Sequence, residues 1–185
     1  MALLDRDDSV LVVVDAQPGF LPVEAEAAVE RMTWLVAVAA RLGVPVVVTE
    51  EEPDRNGATD TRVAERLPAG TPVFRKPTFG LAATPEILNA VRTTERNTVV
   101  IVGCETDVCV AQSAIGLQDA GLRCVVVEDA TFSPGDMHAR GLARVRSEAV
   151  ALNHTKGVTY EWLRTVEEAH AVLGDPSLPT PPIRL

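Results

Sequence analysis

Apolar residues in this chain come in short unbroken runs, and each run stops at a polar or charged side chain. Residues 10–14 end at Asp15, residues 44–49 at Glu50, residues 98–102 before Gly103 and Cys104, and residues 124–127 at Glu128. Residues 72–74 and 149–152 repeat the pattern in weaker form, with Pro72 suited to the first position of a strand. A strand with one wet face alternates apolar and polar positions. Runs that are apolar throughout suit strands covered on both faces, as in a parallel sheet.

Helical periodicity fills the gaps. Residues 24–41 place Val29, Met32, Leu35, Val36 and Ala39 three and four apart, and Gly43 closes the segment. Pro85 opens a helix over 86–92, with Thr84 as its N-cap. Further helices are expected over 106–120, stopping at Gly121, over 136–147 after the turn Ser133-Pro134-Gly135, and over 158–173 before Gly174. Strand and helix alternating about six times predicts an α/β fold with right-handed crossovers. It forms one domain over residues 1–173, followed by a proline-rich tail, 174–185. With prolines at 176, 179, 181 and 182, that tail is expected to be extended and helix-free, either a free terminus or an arm on a neighbouring subunit.

Composition narrows the function classes. The 185 residues carry 17 basic and 26 acidic side chains, a net charge of −9, and 46% are hydrophobic, enough for a full core. The negative balance argues against nucleic-acid binding, which needs clustered Lys and Arg. No apolar run reaches the ~20 residues of a membrane span. Residues 1–9, with Asp5, Arg6, Asp7 and Asp8, do not read as a secretion signal. Three cysteines, an odd count, fit a reducing cytoplasm better than a disulfide scaffold.

Ligands of open α/β sheets bind beyond the carboxyl ends of the strands. The residues there are Asp15-Ala16-Gln17, then 50–54 with Glu51, then Arg75-Lys76-Pro77, then 103–110 with two cysteines. Cys109 falls in the first turn of a predicted helix, where the macrodipole and a nearby lysine would lower its pKa and favour the nucleophilic thiolate. The alternative is a small buried hydrophobe, which is how Cys104 and Cys124 read. Asp15 suits a general base that takes the thiol proton and returns it to a leaving nitrogen. Lys76 suits an ammonium that stabilises both. Dinucleotide, P-loop and nucleophile-elbow motifs are absent. His138 and His170 are placed on solvated helix faces, and His154 follows the sixth strand.

Asp15, Lys76 and Cys109 in this order resemble the isochorismatase-like cysteine hydrolases. The resemblance covers about residues 8–172 and is anchored by Val-Val-Val-Asp-Ala-Gln at 12–17, Arg-Lys-Pro-Thr-Phe-Gly at 75–80 and Gly-Cys-Glu-Thr-Asp-Val-Cys-Val at 103–110. It implies a three-layer α/β/α fold with a six-stranded parallel sheet in the order 3-2-1-4-5-6. Asp15 then lies beside Cys109, and the loop after the third strand folds over to deliver Lys76. It further implies a cis peptide at Cys104–Glu105 and an oxyanion hole from the backbone N–H groups of Glu105 and Cys109. Gln17, Phe20, Glu51 and Phe79 are candidate pocket residues. Metal-binding relatives such as nicotinamidases carry an Asp-x-His pair after the second strand. Here Glu51 could stand for the Asp, but Pro53 replaces the histidine, so no metal and no other cofactor is expected. The acidic segment 50–54 is either a solvated loop or faces an amine-bearing substrate. The expected activity is hydrolysis of a small-molecule C–N bond (amide, ureido or carbamoyl) through a thioester, by a homo-oligomer. A non-catalytic binding or assembly module on the same fold is the alternative.

Overall fold

The computed structural model describes residues 2–182. Six parallel strands form one sheet: β1 (Ser9–Val14), β2 (Val46–Glu51), β3 (Val73–Lys76), β4 (Thr98–Cys104), β5 (Arg123–Phe132) and β6 (Ala151–Asn153). Their order is β3-β2-β1-β4-β5-β6, the order expected, and helices flank the sheet.

The valine-rich runs explain the two-sided burial. Successive side chains of a strand point to opposite faces, and every residue of β1 is buried. Leu11 and Val13 join Val100, Val102 and Val125 under α1 (Glu26–Leu42) and α7 (Thr155–Leu163). Val10, Val12 and Val14 join Val99, Ile101 and Val126 under α4 (Pro85–Thr93), α5 (Ala111–Asp119) and α6 (Met137–Ser147). Gly43 ends α1 in the left-handed region (φ 70°), donating its N–H to the carbonyls of Ala39 and Ala40. Buried indole groups find partners: Trp34 Nε1 donates to Thr159 Oγ1 and Trp162 Nε1 to Ser9 Oγ, both at 3.1 Å.

Several boundaries differ from the sequence reading, each for a local reason. Residues 158–173 were expected as one helix but form α7 and α8 (Val166–Leu173), broken at Arg164 (φ 65°). Thr165 caps α8, its hydroxyl accepting from Glu168 N. The signal is Thr165-x-x-Glu168, a capping-box pattern. β5 runs ten residues rather than four. Its polar Asp129 stays in the strand because it accepts from the N–H and hydroxyl of Thr155 and pairs with Arg31. β6 begins only after Ala149, a turn residue with φ 59°. Thr84 occupies the N-cap of α4 without capping it, since its hydroxyl bonds Thr78 Oγ1 at 2.9 Å. Two short helices, α2 (Pro53–Asn56) and α3 (Thr61–Ala64), fill the β2–β3 connection. Residues 174–182 hold no helix or strand. They return to the chain's own surface, where Asp175 pairs with Arg41 and Ser177 O accepts from Arg66. Residues 183–185 of the expected tail lie outside the described residues. No helix among the described residues is long and apolar enough to cross a membrane.

Gly103 controls how closely β1 and β4 approach at their carboxyl ends. It pairs with Val14 and has φ 121°, and a Cβ there would sit 1.9 Å from Val14 O. Gly103→Ala is therefore expected to cost more than ~3 kcal/mol, read as a fall in the urea midpoint or as loss of folded protein.

Candidate active site

Each reactive side chain sits at a strand's carboxyl end. Asp15 follows β1 with φ 46°, in the left-handed region, where Asp is tolerated better than most residues. Its N–H donates to Thr49 O and its Oδ1 accepts from Thr49 Oγ1 at 2.9 Å. The sequence reading missed Thr49, although its register opposite Val14 puts it beside Asp15.

Lys76 is not delivered by a loop folding over the sheet, as expected. It is the last residue of β3, in register with Glu51 at the end of β2. Its ammonium is fully buried and donates to Thr78 O (2.8 Å), Phe79 O (3.1 Å) and Cys109 Sγ (3.4 Å). It also lies 2.9 Å from Asp15 Oδ2 and 3.8 Å from Glu51 Oε2. Asp15 Oδ2 is buried and pairs with the ammonium, and a carboxylate oxygen so paired still has a lone pair with which to accept a proton.

Cys109 belongs to a π-helical turn, Thr106–Val110, that precedes α5, so the expected helix over 106–120 is wound differently at its start. In that turn the Val110 N–H reaches back to Glu105 O at 3.0 Å. Single π turns recur at functional sites. Two flanking groups pin this one. Ser133 Oγ donates to Asp107 Oδ1 (2.6 Å), and His138 Nδ1 bonds Thr106 Oγ1 (2.9 Å). His138 is thus half-buried rather than on a solvated face, and burial pushes its pKa down. Gly141 of α6 lets the turn pack close, because a Cβ there would meet Asp107 N at 2.6 Å. The peptide Cys104–Glu105 is cis.

Of the other candidate positions, Glu51 and Phe79 line a cavity of about 480 Å³ together with Lys76 and Thr78. Glu51 does more than line it: Cys109 Sγ–H donates to its Oε2 at 3.3 Å. Gln17 and Phe20, also expected at the pocket, are not among the residues lining this cavity. Gln17 is fully buried, its Nε2 donating to the Glu51 and Gly57 carbonyls while its Oε1 accepts from Glu51 N. Phe20 packs against the core on the α1 side. The acidic segment splits. Glu50 accepts from Thr59, exposed Glu52 and Asp54 pair with Arg55 and Arg75, and Glu51 faces the sulfur. His154 is exposed and caps α7, and His170 is exposed.

Electrostatics corrects one expectation. Burial, then the Asp15 charge, push the Cys109 thiol above its ordinary range, and the Glu51 contact adds to this; Lys76 pulls the other way. The macrodipole does not make it a standing thiolate. Burial also raises Asp15, against the opposing pull of Lys76. Cys104 is raised by its burial and Cys124 is pushed up to about 12 for the same reason. Glu105 is raised by burial, then by the charges of Asp107 and Glu51.

One oxygen each from Asp15 and Glu51 and the sulfur of Cys109 lie within 4.8 Å of one another, close enough to hold a metal ion. Lys76 Nζ occupies their midst at 2.9, 3.8 and 3.4 Å, however, and an ion there would face that ammonium. Pro53, at the position where the resemblance leads one to look for a histidine ligand, opens α2. The residues present fit an ammonium rather than a metal.

Comparison with known proteins decides the family. The isochorismatase domain model matches residues 9–156. The chain belongs to the isochorismatase family. It is 30% identical over 160 residues to the secreted isochorismatase effector Isc1 of Phytophthora sojae, covering 83% of this chain and 76% of that protein. Two solved structures share the isochorismatase fold. The YcaC gene product of Escherichia coli, an octameric hydrolase of unknown specificity, superimposes with a TM-score of 0.87 at 23% identity, over 94% of this chain and 88% of that one. YcaC from Pseudomonas aeruginosa, solved with hexane-2,5-diol and covalent acrylamide, gives 0.82 at 26% identity, over 93% and 90%.

Removing one member of a buried ion pair strands the other. Lys76→Met is expected to destabilise the protein by ~3–5 kcal/mol at pH 7, and adding Asp15→Asn to recover much of that loss. Urea denaturation of the two single variants and the double variant measures it.

Proposed function

We propose that this isochorismatase-family protein is a cysteine hydrolase of small-molecule C–N bonds, with Asp15, Lys76 and Cys109 as its catalytic residues. The observation that carries the reading is a fully buried lysine ammonium 3.4 Å from a cysteine sulfur and 2.9 Å from a buried aspartate. A buried ion pair is costly and contributes little to stability. Groups with perturbed pKa at the ends of parallel strands mark active sites.

The raised thiol and raised carboxyl suit concerted proton transfer rather than a preformed thiolate. The Cys109 S–H, bonded to Glu51 Oε2 at rest, turns to Asp15 Oδ2, which takes the proton as sulfur attacks the substrate carbonyl and forms a C–S bond. Lys76 stabilises the negative charge as it develops on sulfur. The oxyanion is held by the N–H groups of Glu105 and Cys109, while the N–H groups of Val108 and Val110 on either side of Cys109 are taken by Glu105 O at 3.2 and 3.0 Å. The C–N bond then breaks, and the nitrogen leaves with the proton from Asp15. Water cleaves the thioester, releasing the acid and restoring the thiol. A cavity of about 480 Å³ suits a small substrate. The covalent acrylamide on the P. aeruginosa relative supports a nucleophile on this fold. The octameric relative supports assembly into a homo-oligomer, expected in light scattering as a particle larger than the 19.8 kDa chain.

A library of amides, ureides and carbamoyl compounds, screened by ammonia or amine release, tests the activity. At least one compound is expected to turn over, and Cys109→Ala to lower its kcat/KM by roughly 10³-fold or more. Native iodoacetamide labelling is expected to modify Cys109 before Cys104 and Cys124. Equal labelling, or turnover that survives Cys109→Ala, contradicts the reading.

A further inference from the structure

We propose that Glu51 is a second catalytic base, the group that activates the water which cleaves the acyl-enzyme. The inference rests on the thioester reading above. Asp15 is poorly placed for that water. It is 0% exposed, with one oxygen held by Thr49 and the other against the Lys76 ammonium. Glu51, by contrast, walls the cavity together with Thr78 and Phe79, and its side chain, which bonds the sulfur, is 20% exposed. Glu51 Oε2 is 3.3 Å from Cys109 Sγ, so water approaching an acyl carbon on that sulfur passes within hydrogen-bonding reach of the carboxylate.

The backbone of Glu51 is clamped on both sides. Its N–H donates to Gln17 Oε1 at 2.7 Å, and its carbonyl accepts from Gln17 Nε2 at 3.1 Å and Asn56 Nδ2 at 2.9 Å. Gln17, fully buried and spent on this loop, is the positioning residue for Glu51. Neighbouring Glu50 turns to Thr59 and Glu52 to Arg55, which leaves Glu51 as the glutamate of segment 50–52 aimed at the site.

The same contact changes role during the cycle. At rest, Glu51 accepts the thiol hydrogen. Once sulfur carries the acyl group it has no hydrogen to give, and the carboxylate turns to the water. The water oxygen bonds to the acyl carbon while one of its protons passes to Glu51 Oε2. The tetrahedral intermediate collapses, the C–S bond breaks with its electron pair going to sulfur, and the proton on Glu51 transfers to that sulfur. The products are the carboxylic acid and the free thiol, with Glu51 again ionised.

p-Nitrophenyl acetate serves as a probe, because its first nitrophenolate release reports acylation and its steady state reports deacylation. Glu51→Gln keeps the shape of the side chain and removes its basicity. It is expected to retain a rapid first release of one nitrophenolate per site, to slow the steady state by ~10²-fold, and to accumulate acetyl on Cys109 by intact mass. In Glu51→Ala, added formate is expected to restore turnover by entering the vacated space. Wild-type turnover in Glu51→Gln, or a first release lost as fully as the steady state, overturns the role of Glu51 alone. Absence of acetyl on Cys109 in the wild type, with equal nitrophenolate release from Cys109→Ala, overturns the thioester reading and Glu51 with it.

Discussion

A lysine ammonium buried at the end of β3 organises this protein's site. Taking a charge out of water costs several kcal/mol unless it is paired and hydrogen-bonded. Lys76 meets that condition with the Thr78 and Phe79 carbonyls and the Asp15 carboxylate. Each partner is held by a different piece of the fold. Asp15 ends β1 and is anchored by Thr49 of β2, Cys109 is carried by the π turn after β4, and Glu51 ends β2. The close approach of β1 and β4 at Gly103 brings the first two together. The parallel sheet thus does more than supply a core, since its order places four chain segments around one nitrogen atom.

That arrangement sets the chemistry. Two carboxylates and an ammonium surround one sulfur, and burial works against every charged form present. Cys109 rests as a thiol and Asp15 is a stronger base than an exposed aspartate. In the hydrolase proposed above, proton transfer and attack proceed together, so that the low-dielectric site holds a separated thiolate only as the new bond forms. The cavity of about 480 Å³ beside this cluster is lined by the carboxylates of Glu51 and Glu52 together with Arg55 and Lys76.

Much of this was legible in the residues. Valine runs without alternation encode two-sided burial, and the helical spacing of Val29, Met32 and Leu35 encodes the helix above it. Asp15 and Cys109 stood out because strand ends converge on one rim. The exact placement of Lys76 did not, because the strand's extension through Arg75 and Lys76 depends on pairing with Glu50 and Glu51, a long-range register. The break at Arg164 was hidden by apolar residues that keep helical spacing on both sides. Gln17 and Glu51 were read as one kind of residue, pocket lining. A buried amide bracing a loop and a carboxylate on a sulfur differ only in partners, which periodicity does not reveal. The π turn and the His138 contact likewise depend on α6 packing against residues some thirty positions earlier.

The central claim is that Asp15 and Lys76 act in opposite directions on one thiol. The titration of Cys109, followed through the pH dependence of its alkylation rate, measures this directly in wild type and in Asp15→Asn. The account predicts a thiol above the ordinary cysteine range in the wild type, and a marked fall in Asp15→Asn, where the carboxylate is gone and the ammonium stays. A Cys109 titration that does not move, or that rises, would contradict it.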